Sequence, residues 1–387
     1  MLSTEEARER AAGKPWSFLH VSKPEIDFPP GTDACSAAVY AKAKDNLQRM
    51  ITAGVLIRDP APAYYVYRIT AGAHIQTGVV AAASIDAYDA NVIRKHEHTR
   101  PDKENDRVRH MEALNAQTGP VLVAYPPAPE LDSLIAEASR QAPDSDVVAS
   151  DGVRHAIWPV RAANTLDRIG ALFDAVAGLY IADGHHRSAA ASRVAAARRA
   201  SNPGHTGAEA YNRFLIVAFP HHELRILDYN RAVRDFGGMS LDTFLTKLRE
   251  RFTIAPSATP VKPNRHGEFG LYAGGRWHRL TIRPDLAADI DPIARLDVSL
   301  LTDQLLTPVL GIGDLRTDKR IDFVGGGRGL AELERQVDSG AMVAAFSLYP
   351  TRLEDLMAVA DAGGVMPPKS TWFEPKLADG LVSHVLD

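Results

Sequence analysis

The segment Leu179–Ser192 has the sequence LYIADGHHRSAAAS and joins two different residue patterns. LYIAD is apolar up to its last residue, which predicts a short buried strand, and the alanine-rich run after Arg187 predicts a helix. Gly184 ends the strand, so DGHHR falls where a strand meets a helix N-terminus. Backbone N–H groups at such a terminus have no partner within the helix, and the helix dipole adds a positive field. The junction is therefore a candidate anion site.

The side chains of this junction suit a phosphate group. Gly184 lets a ligand approach the backbone closely, and the Arg187 guanidinium can donate to two phosphate oxygens. The two adjacent histidines can donate hydrogen bonds or carry a proton. The alternative is an ordinary Asp-Gly turn in which Asp183 only caps the helix. The phosphate hypothesis assigns binding to Gly184, His186, Arg187 and Ser188, with Asp183 and His185 as catalytic candidates.

Strand and helix patterns alternate outward from this junction along the whole chain. Helices are predicted over 34–52, from about Asn105, and in NTLDRIGALFDAVAG; strands are predicted in AYYVYRIT, QTGVVAAAS, PVLVAY, RFLIVAFP and ELRILDYN. Residues 1–33 are expected to be irregular. This mixture indicates an α/β or mixed α+β class. A change of texture near 230–240 favours an N-terminal region, 1–235, and a C-terminal α/β region, 236–387, that folds back onto the site, although one compact unit is the alternative.

Composition limits the classes of function. The 387 residues carry a net charge of -4, and without a basic excess a nucleic-acid partner is not expected. No apolar run reaches the roughly 18 residues that a membrane span needs, and the acidic N-terminus is not a signal peptide, so a cytoplasmic location without a membrane partner is expected. The single cysteine, Cys35, can form neither an internal disulfide nor a thiolate zinc site alone.

A charged cluster, IRKHEHTRPDKENDRVR, occupies residues 93–109. Such a run is usually a solvated surface. The alternative is phosphoryl transfer, which needs cations on the phosphate and a carboxylate near the attacking hydroxyl. For the carboxylate, Glu97 is the first candidate and Asp106 the second. The substrate-binding candidates here are Lys95, His98, Arg100 and Lys103.

The histidines of this cluster also raise the question of a metal. His96 and His98 would share one face of a strand, and with His185 or His186 and a carboxylate they could hold zinc or iron. No thiol and no HExxH spacing accompanies them, so no transition metal is expected. Mg²⁺ is favoured, because nucleotide phosphates recruit it with few protein ligands, and Asp183 is its candidate ligand.

Near the C-terminus, Lys369, Ser370 and Thr371 follow Met366-Pro367-Pro368. A cation and two hydroxyls in a restricted loop suit a phosphate or a carboxylate, so all three are substrate-binding candidates. The alternative is a loop that packs Trp372 and Phe373 onto the body of the protein.

Three strings of this sequence resemble a known family. KHEHTRPDKENDR, LYIADGHHRSAAAS and MPPKSTWFEPK resemble a widespread bacterial and archaeal family whose domain has unknown function. DGHHRSAA also resembles the phosphate-contacting motif of the ParB/sulfiredoxin superfamily, in which a Gly, an Arg and the following helix hold nucleotide phosphates. The resemblance implies a ParB/sulfiredoxin-like core within 1–235, elaborated with additional strands and helices.

Some members of that superfamily are free serine kinases, which move phosphate from ADP or ATP onto the hydroxyl of L-serine. The resemblance implies a phosphotransferase of serine metabolism that uses Mg²⁺ with ADP or ATP, with a nucleotide and a small molecule as its partners. Two alternatives stay open: a nucleotide-binding hydrolase or switch, and a non-catalytic protein that binds a phosphorylated metabolite. A minimal kinase domain of the superfamily is shorter than this chain, so the acceptor is the least determined part.

Overall fold

The computed structural model describes residues 2–287 and 291–387. The helices are α1 Thr4–Ala11, α2 Leu19–Ser22, α3 Ala37–Thr52, α4 Ile85–Asp89, α5 Pro101–Leu114, α6 Pro129–Ala138, α7 Ala163–Asp174, α8 His185–Ser201, α9 Leu241–Leu248, α10 Asp297–Leu301, α11 Leu330–Asp338 and α12 Leu353–Asp361. A π-helical turn, Thr302–Leu306, continues α10.

The strands alternate with these helices and confirm the mixed α/β class. They are β1 Tyr64–Ala71, β2 His74–Ser84, β3 Ile93–Arg94, β4 Ala116–Gln117, β5 Val121–Tyr125, β6 Ser145–Val148, β7 Arg154–Val160, β8 Leu179–Asp183, β9 Arg213–Pro220, β10 Ile226–Leu227, β11 Tyr229–Val233, β12 Phe252–Ser257, β13 Glu268–Ala273, β14 Arg276–Ile282, β15 Ile321–Gly325, β16 Ala344–Leu348, β17 Trp372–Phe373 and β18 His384–Val385.

The chain divides into two compact units. The first combines Met1–Glu223 with Pro375–Asp387, and the second is Leu224–Glu374. The first division, between Glu223 and Leu224, lies twelve residues before the boundary expected between 235 and 236, and the last segment of the chain, Pro375–Asp387, returns to the first unit.

The first unit is built on an eight-stranded mixed sheet in the order β3-β8-β5-β9-β2-β1-β7-β6. β5 is buried along its whole length, and β8 is buried at its three middle residues, Tyr180–Ala182. β3 runs parallel to β8, with Ile93 opposite Leu179 and Arg94 opposite Tyr180. Because parallel neighbours end at the same sheet edge, the loops that follow β3 and β8 leave from one place.

The second unit contains a six-stranded sheet in the order β12-β14-β13-β16-β11-β15, and each neighbouring pair in it is antiparallel. β13, β16 and β11 occupy consecutive central positions, and every residue of the three is buried. A separate two-stranded pair joins β10 to β17.

Several local expectations were wrong. The N-terminal lead-in is not irregular, since it contains α1 and α2; Ser3 and Glu6 cap α1 reciprocally, and the S-x-x-E spacing of this capping box is visible in the sequence. α5 begins at Pro101 rather than near Asn105, because proline is well tolerated at the first helical position. ELRILDYN is not one strand but contains β10 and the start of β11.

Across the two described ranges, no helix has both the length and the apolar character that a membrane crossing requires.

Candidate functional site

The junction between β8 and α8 has the predicted strand–loop–helix form. Gly184 is the N-cap of α8 and adopts φ 114°, a region that favours glycine. A Cβ at this position would lie 2.9 Å from Nη2 of Arg187 and 3.2 Å from Cγ1 of Val121. Glycine is therefore required twice, by the backbone conformation and by the Arg187 side chain that folds back over the junction.

Arg187 and Asp183 form an ion pair across the junction, with Nη2 3.1 Å from Oδ2. Desolvation opposes ionisation of Asp183, but the positive charges of Arg187 and Lys376 outweigh it and lower its pKa. Nε of Arg187 is buried and has no hydrogen-bond partner among the residues described. The guanidinium is thus held at the junction by one carboxylate while retaining donor capacity.

The hydrogen bonds in the first turn of α8 determine which backbone N–H groups remain available to a ligand. The N–H groups of Arg187 and Ser188 both donate to the carbonyl of Gly184, at 2.8 and 3.0 Å. The Ser188 side chain is fully buried, and its hydroxyl donates to the carbonyl of His185 at 3.0 Å. The backbone N–H groups of His185 and His186, at the first two helical positions, are the ones suited to an anion.

The loop 95–100 lies against this helix terminus. The N–H of His96 donates to Nε2 of His185 at 3.4 Å, and the N–H of Arg100 donates to Nε2 of His186 at 3.1 Å. On its other nitrogen, Nδ1, His185 lies 3.6 Å from Oε2 of Glu97. The structure therefore brings together the DGHHR motif and the KHEHTR loop, including the catalytic candidates His185 and Glu97.

The surroundings of the two inner histidines of this contact disfavour their charged forms. The His96 and His185 rings are both buried and meet edge to face, with centroids 4.4 Å apart. Burial lowers the pKa of His96 to about 4, and burial together with the neighbouring His96, His186 and Arg187 holds the pKa of His185 well below its ordinary value. Burial also lowers the pKa of His186. Because Nε2 of His185 and of His186 accepts an N–H, each ring carries its proton on Nδ1.

The predicted cations of the cluster have different surroundings. Nζ of Lys95 donates to the carbonyl of Tyr88 at 3.1 Å and lies 4.3 Å above its ring. Arg100 is exposed and pairs with Asp102 at 2.9 Å. His98 and Lys103 are exposed. Three or more His, Cys, Asp or Glu side chains do not group as a metal site anywhere in the described ranges.

Asp106, the second candidate base, is engaged elsewhere. It accepts from the hydroxyl of Tyr40 at 2.8 Å and from Arg107 at 2.6 Å. Desolvation opposes its ionisation, but Arg107 and Tyr40 outweigh this and lower the pKa of Asp106. This network links α3 to α5, which gives Asp106 a structural role.

The segment that returns to the first unit, Pro375–Asp387, brings two charged residues that the sequence analysis did not single out. The positive charge of Lys376 helps to lower the pKa of Asp183, and a Cβ on Gly119 would lie 3.4 Å from Oδ1 of Asp379 and 3.3 Å from Cδ of Arg187. Lys376 is the last residue of the MPPKSTWFEPK string, so the family resemblance of that string was a signal that could have pointed to it.

The candidates Lys369, Ser370 and Thr371 belong to the second unit. Ser370 is buried and its hydroxyl donates to the carbonyl of Pro367 at 2.6 Å. Lys369 is exposed, adopts φ 60° and has its Nζ 5.8 Å from the ring of Tyr229. Thr371 is half-buried.

A fully buried arginine, Arg231, anchors this loop within the second unit. It donates to the carbonyls of Tyr229 at 2.7 Å and of Lys369 at 3.1 Å. Its guanidinium also lies 4.7 Å from the ring of Phe323, and burial lowers its pKa to about 9. The loop is thus held by its backbone, with the Lys369 side chain directed to solvent.

Comparison with known proteins gives a family and several distant structures. The family model described as "Protein of unknown function (DUF1015)" matches residues 1–299. A conserved hypothetical protein from Pyrococcus furiosus has 14% identity and a TM-score of 0.36, over 78% of this chain and 93% of that one. A free serine kinase in complex with AMP has 13% identity and a TM-score of 0.37, over 78% and 90%.

SbnI from Staphylococcus aureus, truncated at its C-terminus, has 11% identity and a TM-score of 0.37, over 78% of this chain and 85% of that one. No curated protein sequence matches the chain.

Proposed function

The chain belongs to the DUF1015 family of proteins of unknown function, and we propose that it is a small-molecule phosphotransferase of the free serine kinase type. It would move phosphate from ADP or ATP to the hydroxyl of L-serine or a similar metabolite. The observation that carries this proposal is the contact between a phosphate-type helix terminus at Gly184–Ser188 and a loop that presents the Glu97 carboxylate.

The helix terminus supplies the nucleotide end of the reaction. The N–H groups at the start of α8, the helix dipole and the Arg187 guanidinium are the donors that bind phosphate oxygens. An entering phosphate would compete with Asp183 for Arg187, since the Asp183 carboxylate already lies 3.1 Å from the Arg187 guanidinium. The charged form of Asp183 that the neighbouring cations favour keeps Arg187 in place until then.

Glu97 would interact with the hydroxyl group that accepts the phosphate. Its side chain is 51% exposed, so an acceptor hydroxyl can reach it, while the buried ring of His185 lies 3.6 Å from its Oε2. With its proton on Nδ1, His185 faces the carboxylate as a donor and does not compete with it for the acceptor proton. Glu97 would accept or position the proton of the attacking hydroxyl.

Mg²⁺ fits these residues as a partner of the phosphates. Mg²⁺ usually binds one or two carboxylates, keeps several waters and takes its other ligands from phosphate oxygens. Asp183 is an ionised, half-exposed carboxylate at the phosphate end, and its side chain is 47% exposed. When bound, the ion would neutralise charge on the transferring phosphate.

Exposed basic side chains near Glu97 would recognise the rest of the acceptor. Arg100, Lys103 and His98 are exposed on or next to the loop that carries Glu97, and their chemistry suits the carboxylate of an amino acid. Lys95, at the start of the same loop, would share this role.

The test is incubation of the protein with ADP or ATP, Mg²⁺ and L-serine, with phosphoserine measured by mass spectrometry. Arg187→Gln and Glu97→Gln should each lower the rate at least about 100-fold, since they remove charge-assisted contacts and the base. The matched controls are Arg168→Gln and Glu137→Gln, both exposed residues of the same unit away from the junction. The proposal fails if neither nucleotide yields phosphoserine and serine does not alter nucleotide turnover.

A hydrolase is the second candidate, and the exposure of Glu97 favours it because water can reach the same carboxylate. Nucleotide turnover that is independent of any acceptor, and abolished by Glu97→Gln, would identify this activity. It would replace the transferase while leaving the nucleotide site intact.

A further inference from the structure

A surface cleft of about 410 Å³ lies beside the end of α1, and its volume is within the range of small-molecule sites. Its wall combines basic and apolar side chains. The basic ones are Arg8, Lys14 and His20, and the apolar ones include Ala11, Pro15 and Ile26. None of these residues belongs to the DGHHR junction or to the loop 95–100, so the cleft is a second candidate for ligand binding.

The guanidinium of Arg8 is held at the cleft by backbone oxygens. It donates to the carbonyl of Ile26, and its Nη2 lies 3.5 Å from the carbonyl of Glu25. The Glu25 carboxylate pairs instead with Nζ of Lys23, at 2.9 Å. Arg8 forms no ion pair with a carboxylate in the two described ranges, and a guanidinium has five N–H donors, so charge and donors remain for an anion.

The His20 ring is held in one orientation by a hydrogen-bond network. Its Nδ1 lies 2.6 Å from Oδ1 of Asp27, and Oδ2 of the same carboxylate accepts from the Asn46 amide at 2.7 Å. Asn46 is buried and also donates to the carbonyl of His20 at 2.8 Å. Asp27 is therefore engaged on both oxygens, and Nε2 is the ring nitrogen left for a ligand; it donates when the ring is protonated.

Lys14 is placed by a fixed turn after α1. Its N–H donates to the carbonyl of Ala11 at 2.9 Å, and its own carbonyl accepts from the N–H of Ser17 at 3.0 Å. Nη2 of Arg49 donates to the carbonyl of Pro15 at 3.0 Å and holds the next residue. The Lys14 side chain is exposed, and its ammonium has no hydrogen bond or ion pair with any residue that the structure describes.

The cleft thus has a positive charge that its own carboxylates do not neutralise. Glu25 and Asp27 already have partners, whereas the three basic side chains of the wall keep donor capacity. Charge-assisted hydrogen bonds from such donors suit a carboxylate or a phosphate. The apolar part of the wall favours a ligand that also carries an alkyl chain, since burial of that chain adds a hydrophobic contribution.

We propose that this cleft binds a small aliphatic carboxylate. The carboxylate group lies against the three basic side chains, and the alkyl chain lies against the apolar wall. This site is independent of the proposed phosphotransferase activity, and neither depends on the other.

The experiment is a titration of the full-length protein with hexanoate, followed by saturation-transfer NMR. Hexanoate should bind with a Kd of about 1 mM, and hexanamide, which keeps the chain but lacks the charge, at least about tenfold more weakly. Inorganic phosphate, an anion without a chain, should compete at least about tenfold less well than hexanoate competes with itself.

Lys14→Gln and His20→Gln should each weaken hexanoate binding about fivefold, since each removes one charged contact. The matched control is Lys262→Gln, at an exposed lysine of the second unit that does not line the cleft. Glu97→Gln should also bind hexanoate as the wild type does, which separates this site from the proposed phosphotransfer reaction. Thermal melting identifies any variant that has lost its fold, and the exposed Lys14 carries the test if His20→Gln unfolds.

The inference is overturned if hexanoate does not bind at about 20 mM, or if hexanamide binds equally well. It is overturned as well if folded Lys14→Gln binds hexanoate within twofold of the wild type. Phosphate that competes as well as hexanoate would show a simple anion site and would contradict the role of the apolar wall.

Discussion

The backbone N–H of Arg100 donates to Nε2 of His186 at 3.1 Å, across 86 residues of sequence. A second bond of the same kind, from the N–H of His96 to His185, spans 89 residues. The two histidines of DGHHR therefore hold the loop 95–100 in place through their side chains, and their acceptor nitrogens are already used.

His186→Phe should release the end of this loop. The variant keeps an aromatic ring but removes the acceptor, so the Arg100 amide loses a hydrogen bond worth about 0.5–1.5 kcal/mol and should exchange roughly 2–13 times faster. Hydrogen exchange of the peptide that covers residues 95–103 measures this. His98→Phe is the control, because His98 is exposed; equal protection in both variants would show that the bond does not hold the loop.

Stability should fall in acid because of His96. Its pKa is about 4 in the folded protein against about 6.5 in the unfolded chain, so between these values the unfolded chain binds a proton that the folded protein does not. The contribution of neutral His96 to the free energy of unfolding is complete above pH 6.5, and it declines by roughly 3 kcal/mol as the pH falls to 4.

Urea unfolding at several pH values measures this, with His96→Gln and His98→Gln compared. The pH dependence should become shallower in the first variant and stay unchanged in the second. If His96→Gln keeps the full wild-type slope, another group is responsible.

Gly184→Ala should both destabilise the protein and disturb the site. The positive φ costs about 1 kcal/mol, and the methyl group would meet the Arg187 guanidinium at 2.9 Å. Gly152→Ala is the matched control, since Gly152 has φ 82° but nothing within 4 Å of the added atom. Gly184→Ala should lower both the melting temperature and the affinity for pyrophosphate, whereas Gly152→Ala should lower the melting temperature alone. If Gly184→Ala keeps its affinity for pyrophosphate, the close approach of Gly184 to Arg187 does not matter for binding.

Arg231→Met should loosen the MPPKST loop of the second unit. It leaves the carbonyls of Tyr229 and Lys369 without their donor, at a cost of roughly 2–4 kcal/mol. Hydrogen exchange of residues 366–372 should rise, and Arg283→Met, at an exposed arginine of the same unit, should not change it. Unchanged exchange in Arg231→Met would mean that the loop is held by its other contacts, such as the bond from Thr351 to Ser370.

Local chemistry was enough to predict the strand–loop–helix junction at DGHHR. LYIAD formed β8, Gly184 ended it, and the alanine-rich run formed α8, because strand propensity, a glycine break and helix propensity all act between near neighbours. The mixed α/β class followed from the same alternation of short-range patterns. The capping box of α1 carried a local signal as well, and it was overlooked.

Strand pairing and hydrogen bonds between residues far apart in sequence determined which other parts of the chain lie against this junction. The charged cluster lies at the junction because β3 runs parallel to β8, and two-residue β3 has almost no sequence signal. The roles open to the histidines depended on which N–H groups the loop 95–100 brought to them. Asp379 lies near Arg187, on the same side of Gly119, because the chain returns to its first unit, an arrangement selected by burial and strand pairing over the whole fold rather than by the residues beside DGHHR.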